Sequence, residues 1–190
     1  AILQRALEVA VDEGLVPWNA AARVDAPKAD GNHHRELSTP ESLKVISACQ
    51  TPREWARVAV ALLTGLRQGE ALGLAWADVD LADGSLWVHQ VAQPVPGKGV
   101  EILPRIKSGA GEERWVALLP EVVESLTRWR DERGTEGLVF ADADAPGKPI
   151  RPERDHREWK ALCARAEVPQ VPLHGARATT ATRLLELGVP

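Results

Sequence analysis

The 190-residue chain contains no tyrosine and no methionine, one phenylalanine and two cysteines. Without methionine it has no initiator of its own, and it starts inside an apolar-periodic run at Ala1-Ile2-Leu3, so we expect an excised or incomplete piece of a longer protein. Cys49 and Cys163 are far apart, in runs with helical character. They have neither the paired spacing of a zinc site nor a framework of bridges, and read as core thiols. No apolar run approaches the roughly 20 residues that span a bilayer, and no basic-then-apolar leader opens the chain. We therefore expect a cytoplasmic protein with no membrane partner. Internal repeats and low-complexity tracts are absent as well.

A hydrophobic share of 44% and a charged share of 26% are those of a soluble globular chain, with length for one domain and a fragment of another. The net charge of −4 argues against nucleic acid if it is spread evenly, because phosphate binding depends on lysine and arginine. It is not spread evenly. Residues 148–183 carry eight basic groups against four acidic ones, a local +4 that leaves −8 for the remainder. Such asymmetry permits one basic face on an acidic protein.

Periodicity predicts an amphipathic helix over Ile2 to Glu13, capped at Gly14, with the elements it packs on missing. Asp25 to Arg35 has no apolar period and reads as a linker, with a domain boundary near residue 35. Thr39-Pro40-Glu41 opens a helix with threonine as its cap, and Thr51-Pro52-Arg53-Glu54 opens another with capping-box spacing. That second helix is apolar on most sides and should be central. Between Ser85 and Leu119 the period shortens. Leu86-Trp87-Val88 with Val91, Val100 to Leu103 and Arg114 to Leu118 predict one small antiparallel sheet, after an Asp83-Gly84 turn. Helices return over Pro120 to Glu132, Pro152 to Ala166 and His174 to Leu187, with a short strand or extended piece at Leu138-Val139-Phe140. The fold class is mainly α with a small antiparallel sheet, α+β.

The chain is organised around Leu62 to Leu74. Its helix breaks at Gly65, and a second helical run carries Arg67 and Glu70 three residues apart, so cation and carboxylate share one direction. Taken alone, this is equally well a structural ion pair. In Val171 to Thr182, His174 and Arg177 are also three apart, at the start of a helix whose N-terminus favours an anion; alone, they read more readily as a capping histidine and a surface arginine. Lys107 sits at a strand end before Ser108-Gly109, where a lysine is most often an edge charge that discourages strand pairing.

Together these stretches resemble the catalytic domain of the tyrosine recombinases of the phage-integrase type. The resemblance rests on Thr64-Gly65-Leu66-Arg67-x-x-Glu70, Leu74-x-Trp76-x-Asp78-Val79-Asp80, Lys107-Ser108-Gly109 with Arg114, and Leu173-His174-x-x-Arg177 followed by Leu184 to Pro190. It implies that residues 1–22 are the last helix of a core-binding, DNA-binding domain, 23–35 a linker, and 36–190 a catalytic domain truncated before its nucleophilic tyrosine. The implied catalytic residues are Arg67, Lys107, His174 and Arg177, with Glu70 orienting Arg67. Arg67 and Arg177 would stabilise the phosphate, Lys107 would protonate the leaving 5′ oxygen, and His174 would assist at the phosphate or nucleophile. No metal or other cofactor is implied. The implied partner is double-stranded DNA, bound by a homotetramer when the protein is full length, whereas the fragment should be monomeric.

The departures from the family pattern are specific. Ala178 follows Arg177 where histidine is common, Gly175-Ala176 replace a more usual Asp-Leu, and no tyrosine is present to form a phosphotyrosyl intermediate. The alternative reading is a non-catalytic DNA-binding module that keeps the recombinase fold; a third is an unrelated helical domain whose charges form structural pairs.

Overall fold

Proline in the first helical turn starts four of the helices, at Pro40, Pro52, Pro120 and Pro152. Its fixed φ suits a helix start, and its missing N–H would have had no partner there. The structure, a computed structural model, describes residues 2–24, 36–104 and 113–173. Two units divide the chain, Ala1–His33 and His34–Pro190.

In the first unit, α1 (Ile2–Asp12) ends at Gly14, whose φ of +70° turns the chain. The following residues fold back on the helix. Asn19 Nδ2 donates to the Gln4 carbonyl at 3.0 Å, and Gln4 Nε2 donates to the Ala21 carbonyl at 3.1 Å. No residue of α1 is buried, and Ile2 and Leu3 stay exposed. The expected linker over 25–35 lies outside the described residues.

The second unit contains α2 (Thr39–Ser47), α3 (Pro52–Leu63), α4 (Gln68–Gly73), a 3-10 turn over Trp76–Asp78, strands β1 (Val79–Asp80), β2 (Ser85–Val88), β3 (Gln90–Val95), β4 (Gly99–Pro104) and β5 (Arg114–Ala117), then α5 (Pro120–Arg133), β6 (Ala141–Asp142), β7 (Ala145–Pro149) and α6 (Pro152–Arg165). This is the helix-dominated α+β architecture expected. α3 is its centre, with Ala56 and Val58 to Leu62 buried. One side of it joins Leu72, Leu86, Leu126 and Phe140 in a core with α4, β2 and α5. The other side joins Val45, Trp159, Leu162 and Cys163 in a core with α2 and α6. Burying each such large side chain stabilises the fold by about 1.5–3 kcal/mol. Among the described residues no helix is long and apolar enough to cross a membrane.

Four local expectations are corrected. The cap of α2 is Ser38, not Thr39: Ser38 Oγ accepts from Glu41 N, and the Glu41 carboxylate accepts from Ser38 N at 2.8 Å. At α3, Thr51 Oγ1 accepts from Glu54 N as expected, but the Glu54 carboxylate reaches one residue further back, to Gln50 N at 2.8 Å. Among the described residues the strands expected in one sheet fall into two, β1-β2-β5 and β3-β4, with β6-β7 a further small sheet, all antiparallel. His89 is where the ladder changes partner, since Val88 pairs with Arg114 and Gln90 with Pro104. Leu138-Val139-Phe140 is not a strand. Leu138 makes one isolated bridge to Ala75, and buried Val139 and Phe140 fill the core.

Candidate functional site

The break between α3 and α4 is built by Thr64, Gly65 and Arg67. Thr64 Oγ1 donates to the Val60 carbonyl at 2.6 Å and accepts from Leu66 N at 3.3 Å. Gly65, at a φ of +65°, then reverses the path in a conformation that side-chain-bearing residues resist. Arg67 follows with extended backbone as the cap of α4. An arginine side chain cannot accept a hydrogen bond, so the helix start relies on Glu70 instead, whose Oε2 accepts from Arg67 N at 2.9 Å.

Glu70 is the hub. Its side chain is 1% exposed, yet among the described residues it meets two guanidinium groups. Arg67 Nη1 donates to Oε1 at 3.3 Å, Arg114 Nη2 to Oε2 at 2.8 Å and Arg114 Nη1 to Oε1 at 3.4 Å. The arginine side chains are 45% and 35% exposed, so each cation meets a buried carboxylate and is itself only partly buried. Guanidinium N–H groups set in a planar fork suit a tetrahedral oxyanion.

α4 is held in place from two sides. A Cβ on Gly69 would lie 2.8 Å from the Ala92 carbonyl oxygen, and one on Gly73 would lie 2.8 Å from Ala92 N, so the helix meets β3 backbone to backbone. Gln90 Nε2 adds a bond to the Gly73 carbonyl at 2.7 Å. On the other side Gln68 Nε2 donates to Asp155 Oδ2 at 2.8 Å and to the Pro152 carbonyl at 3.1 Å. Asp155 in turn is clamped by Arg57. The residue directly after Arg67 is thereby tied to α3 and α6.

Of the residues named from the sequence, the structure brings Arg67 and Glu70 together. Lys107, His174 and Arg177 lie outside the described residues. Sequence reasoning missed the partner of Arg114, the close approach at Gly69 and Gly73, and the Gln68–Asp155–Arg57 network. Gly69 and Gly73, four apart on one helical face, were the readable signal for the close approach. Among the described residues no group of three or more His, Cys, Asp or Glu could hold a metal ion. A cavity of about 470 Å³ lies between α3 and α6, walled by Arg57, Val58, Trp129, Trp159, Leu162 and Leu173. Arg67, Glu70 and Arg114 do not line it.

Residues 36–190 match the phage integrase family. A XerC-like tyrosine recombinase of Caldanaerobacter subterraneus is 31% identical over 175 residues, covering 81% of this chain and 44% of the relative. An integrase of Saccharopolyspora erythraea is 26% identical, covering 95% of this chain and 55% of the relative. The chain thus spans about half the length of these relatives. Among solved structures, the Tn1549 transposon integrase in complex with a circular intermediate DNA superposes with a TM-score of 0.81 at 19% identity, over 98% of this chain and 65% of that one. The XerA recombinase superposes with a TM-score of 0.65 at 26% identity, over 81% and 52% respectively.

Proposed function

The chain belongs to the phage integrase family, and from that premise we propose that its parent protein cuts and rejoins double-stranded DNA at specific sites, with residues 36–190 supplying the groups that stabilise the scissile phosphate. The observation that carries this reading is the half-exposed Arg67 guanidinium oriented by a buried Glu70. A tyrosine hydroxyl attacking a phosphodiester forms an O–P bond while the P–O5′ bond breaks, and negative charge accumulates on the non-bridging oxygens. Arg67 and Arg177 neutralise that charge. A donor held in place before reaction contributes about 3–4 kcal/mol to such a transition state. Lys107 gives its proton to the departing 5′ oxygen, and His174 assists at the phosphate or takes the phenol proton. The phosphotyrosyl bond conserves the energy of the bond broken, so rejoining is the reverse attack by a 5′ hydroxyl and needs no nucleotide or metal.

The nucleophile is supplied by the parent protein from outside these 190 residues, and the 190-residue chain alone makes no covalent intermediate. Residues 1–22 end a separate DNA-binding domain, joined through 23–35 to the catalytic domain. The parent acts as a tetramer on DNA in the cytoplasm, while this chain alone is a monomer.

The test uses the full-length parent and a nicked duplex carrying its recombination site. The nick lets the cut fragment diffuse away and traps the intermediate. A denaturation-resistant protein–DNA adduct is the expected result. Tight binding with no adduct would instead identify a DNA-binding module that keeps the recombinase fold without the reaction.

A further inference from the structure

Among the described residues the carboxylate of Glu70 accepts its shortest bond from Arg114, on a strand 44 residues away, and not from its helical neighbour Arg67. We propose that Arg114 is a positioning residue for strand cleavage: it neutralises buried Glu70, so that the Arg67 guanidinium is steered by that carboxylate without being consumed by it. The inference rests on the recombinase reading above.

β5 pairs with β2 so that Arg114 stands opposite Val88 and Val116 opposite Leu86. Val88 and Leu86 are buried, and the alternation of the strand turns Arg114 and Val116 to that inner face while Trp115 turns outward to stack on Trp87, ring centroids 4.9 Å apart. An arginine at an inward position is costly without an anionic partner. Glu70 is that partner, and Arg114 engages both of its oxygens.

The charges then divide the work. A carboxylate 1% exposed must be matched by a cation. Were Arg67 the sole match, its guanidinium would close onto Glu70 and its charge would be spent there. With Arg114 at 2.8 Å, Glu70 is already compensated, and the bond to the Arg67 guanidinium is the longer one at 3.3 Å. Glu70 also holds the Arg67 backbone N–H at 2.9 Å, so the base of the side chain is fixed while the side chain as a whole stays 45% exposed. Arg114 thus acts on the phosphate through Glu70 and Arg67.

The experiment measures adduct formation by the full-length parent on the nicked duplex at saturating DNA, alongside the Kd for the same duplex. Arg114→Gln keeps the stem and a donor but removes the charge. It should lower the saturated rate about 10- to 100-fold and leave the Kd within about threefold. Arg114→Lys, a point charge without the fork, should fall between it and the parent. In a Glu70→Gln background no buried charge needs matching, so adding Arg114→Gln should cause no further loss; this pair remains readable if Arg114→Gln alone does not fold. An Arg114→Gln rate equal to the parent's, with Arg67→Ala inactive, would overturn the proposal and leave the recombinase reading standing. So would a Kd weakened more than tenfold at an unchanged saturated rate, or a further tenfold loss in the Glu70→Gln background. Failure of the unmutated parent to form an adduct would overturn the recombinase reading itself.

Discussion

Arg57 and Asp155 form a two-point ion pair between α3 and α6, with Nε–Oδ1 and Nη2–Oδ2 distances both of 2.8 Å. Their side chains are 11% and 3% exposed, and Gln68 adds a third donor to the same carboxylate. Removing one member of a buried pair leaves the other desolvated without compensation. Asp155→Ala should therefore destabilise the fold by about 3–5 kcal/mol in urea unfolding. Combining it with Arg57→Met should recover part of that loss, because no unpaired charge is then left in the core.

At the start of α2, Ser38 and Thr39 make opposite predictions. Ser38 closes the reciprocal bonds with Glu41, whereas Thr39 is already the first helical residue. Ser38→Ala should cost about 1 kcal/mol, the usual loss of a helix cap, and Thr39→Ala markedly less. The difference in urea midpoints between the two variants measures which residue is the cap.

Gly73→Ala would drive a methyl group to 2.8 Å from Ala92 N and 3.0 Å from the Val91 backbone. These are backbone atoms and cannot swing aside, so α4 must move off β3. A cost of about 1–3 kcal/mol is expected from such overpacking. The Arg67 end of α4 should shift as well, so DNA cleavage by the full-length parent should fall at temperatures where the variant is still folded.

Cys49 is half-buried between α2 and α3, and its thiol is pushed from 9.0 up to about 11, chiefly by burial and then by the Glu54 carboxylate, against the opposing Arg165 guanidinium. The thiol form is thus favoured by the folded state. Its contribution to stability is complete below pH 9 and is lost as pH rises toward about 11. Unfolding stability should therefore decline between pH 9 and 11, and Cys49→Ala should decline less over the same window. Alkylation of the folded chain at pH 8 should be slower than that of a free thiol.

Much of this structure is readable because its signals are local. Pro52 and Pro120 mark helix starts, the apolar girth of α3 marks a helix with a core on each side, and the three-residue spacing of Arg67 and Glu70 after Gly65 places them on one turn. The Ser38 cap is equally legible, since serine three residues before Glu41 is the capping-box spacing, while Thr39 before Pro40 carries the same kind of signal one residue later. What was not readable depends on contacts between distant segments. Arg114 on a strand has no periodicity that names Glu70 as its partner. The exchange of ladders at His89 depends on which strands β2 and β3 find, and a four-residue apolar pattern reads the same in one sheet or two. Gly69 and Gly73, four apart on one face of α4, signal a close approach, but nothing in their spacing says that β3 is the element that approaches.

The central claim is that Arg67, oriented by Glu70, stabilises the scissile phosphate, and the most direct measurement is the single-turnover rate of covalent adduct formation by Arg67→Ala in the full-length parent on a nicked recombination site. The account predicts a rate about 10²–10³-fold below that of the parent at saturating DNA, the scale of removing one preorganised oxyanion donor. A rate within twofold of the parent's would contradict it.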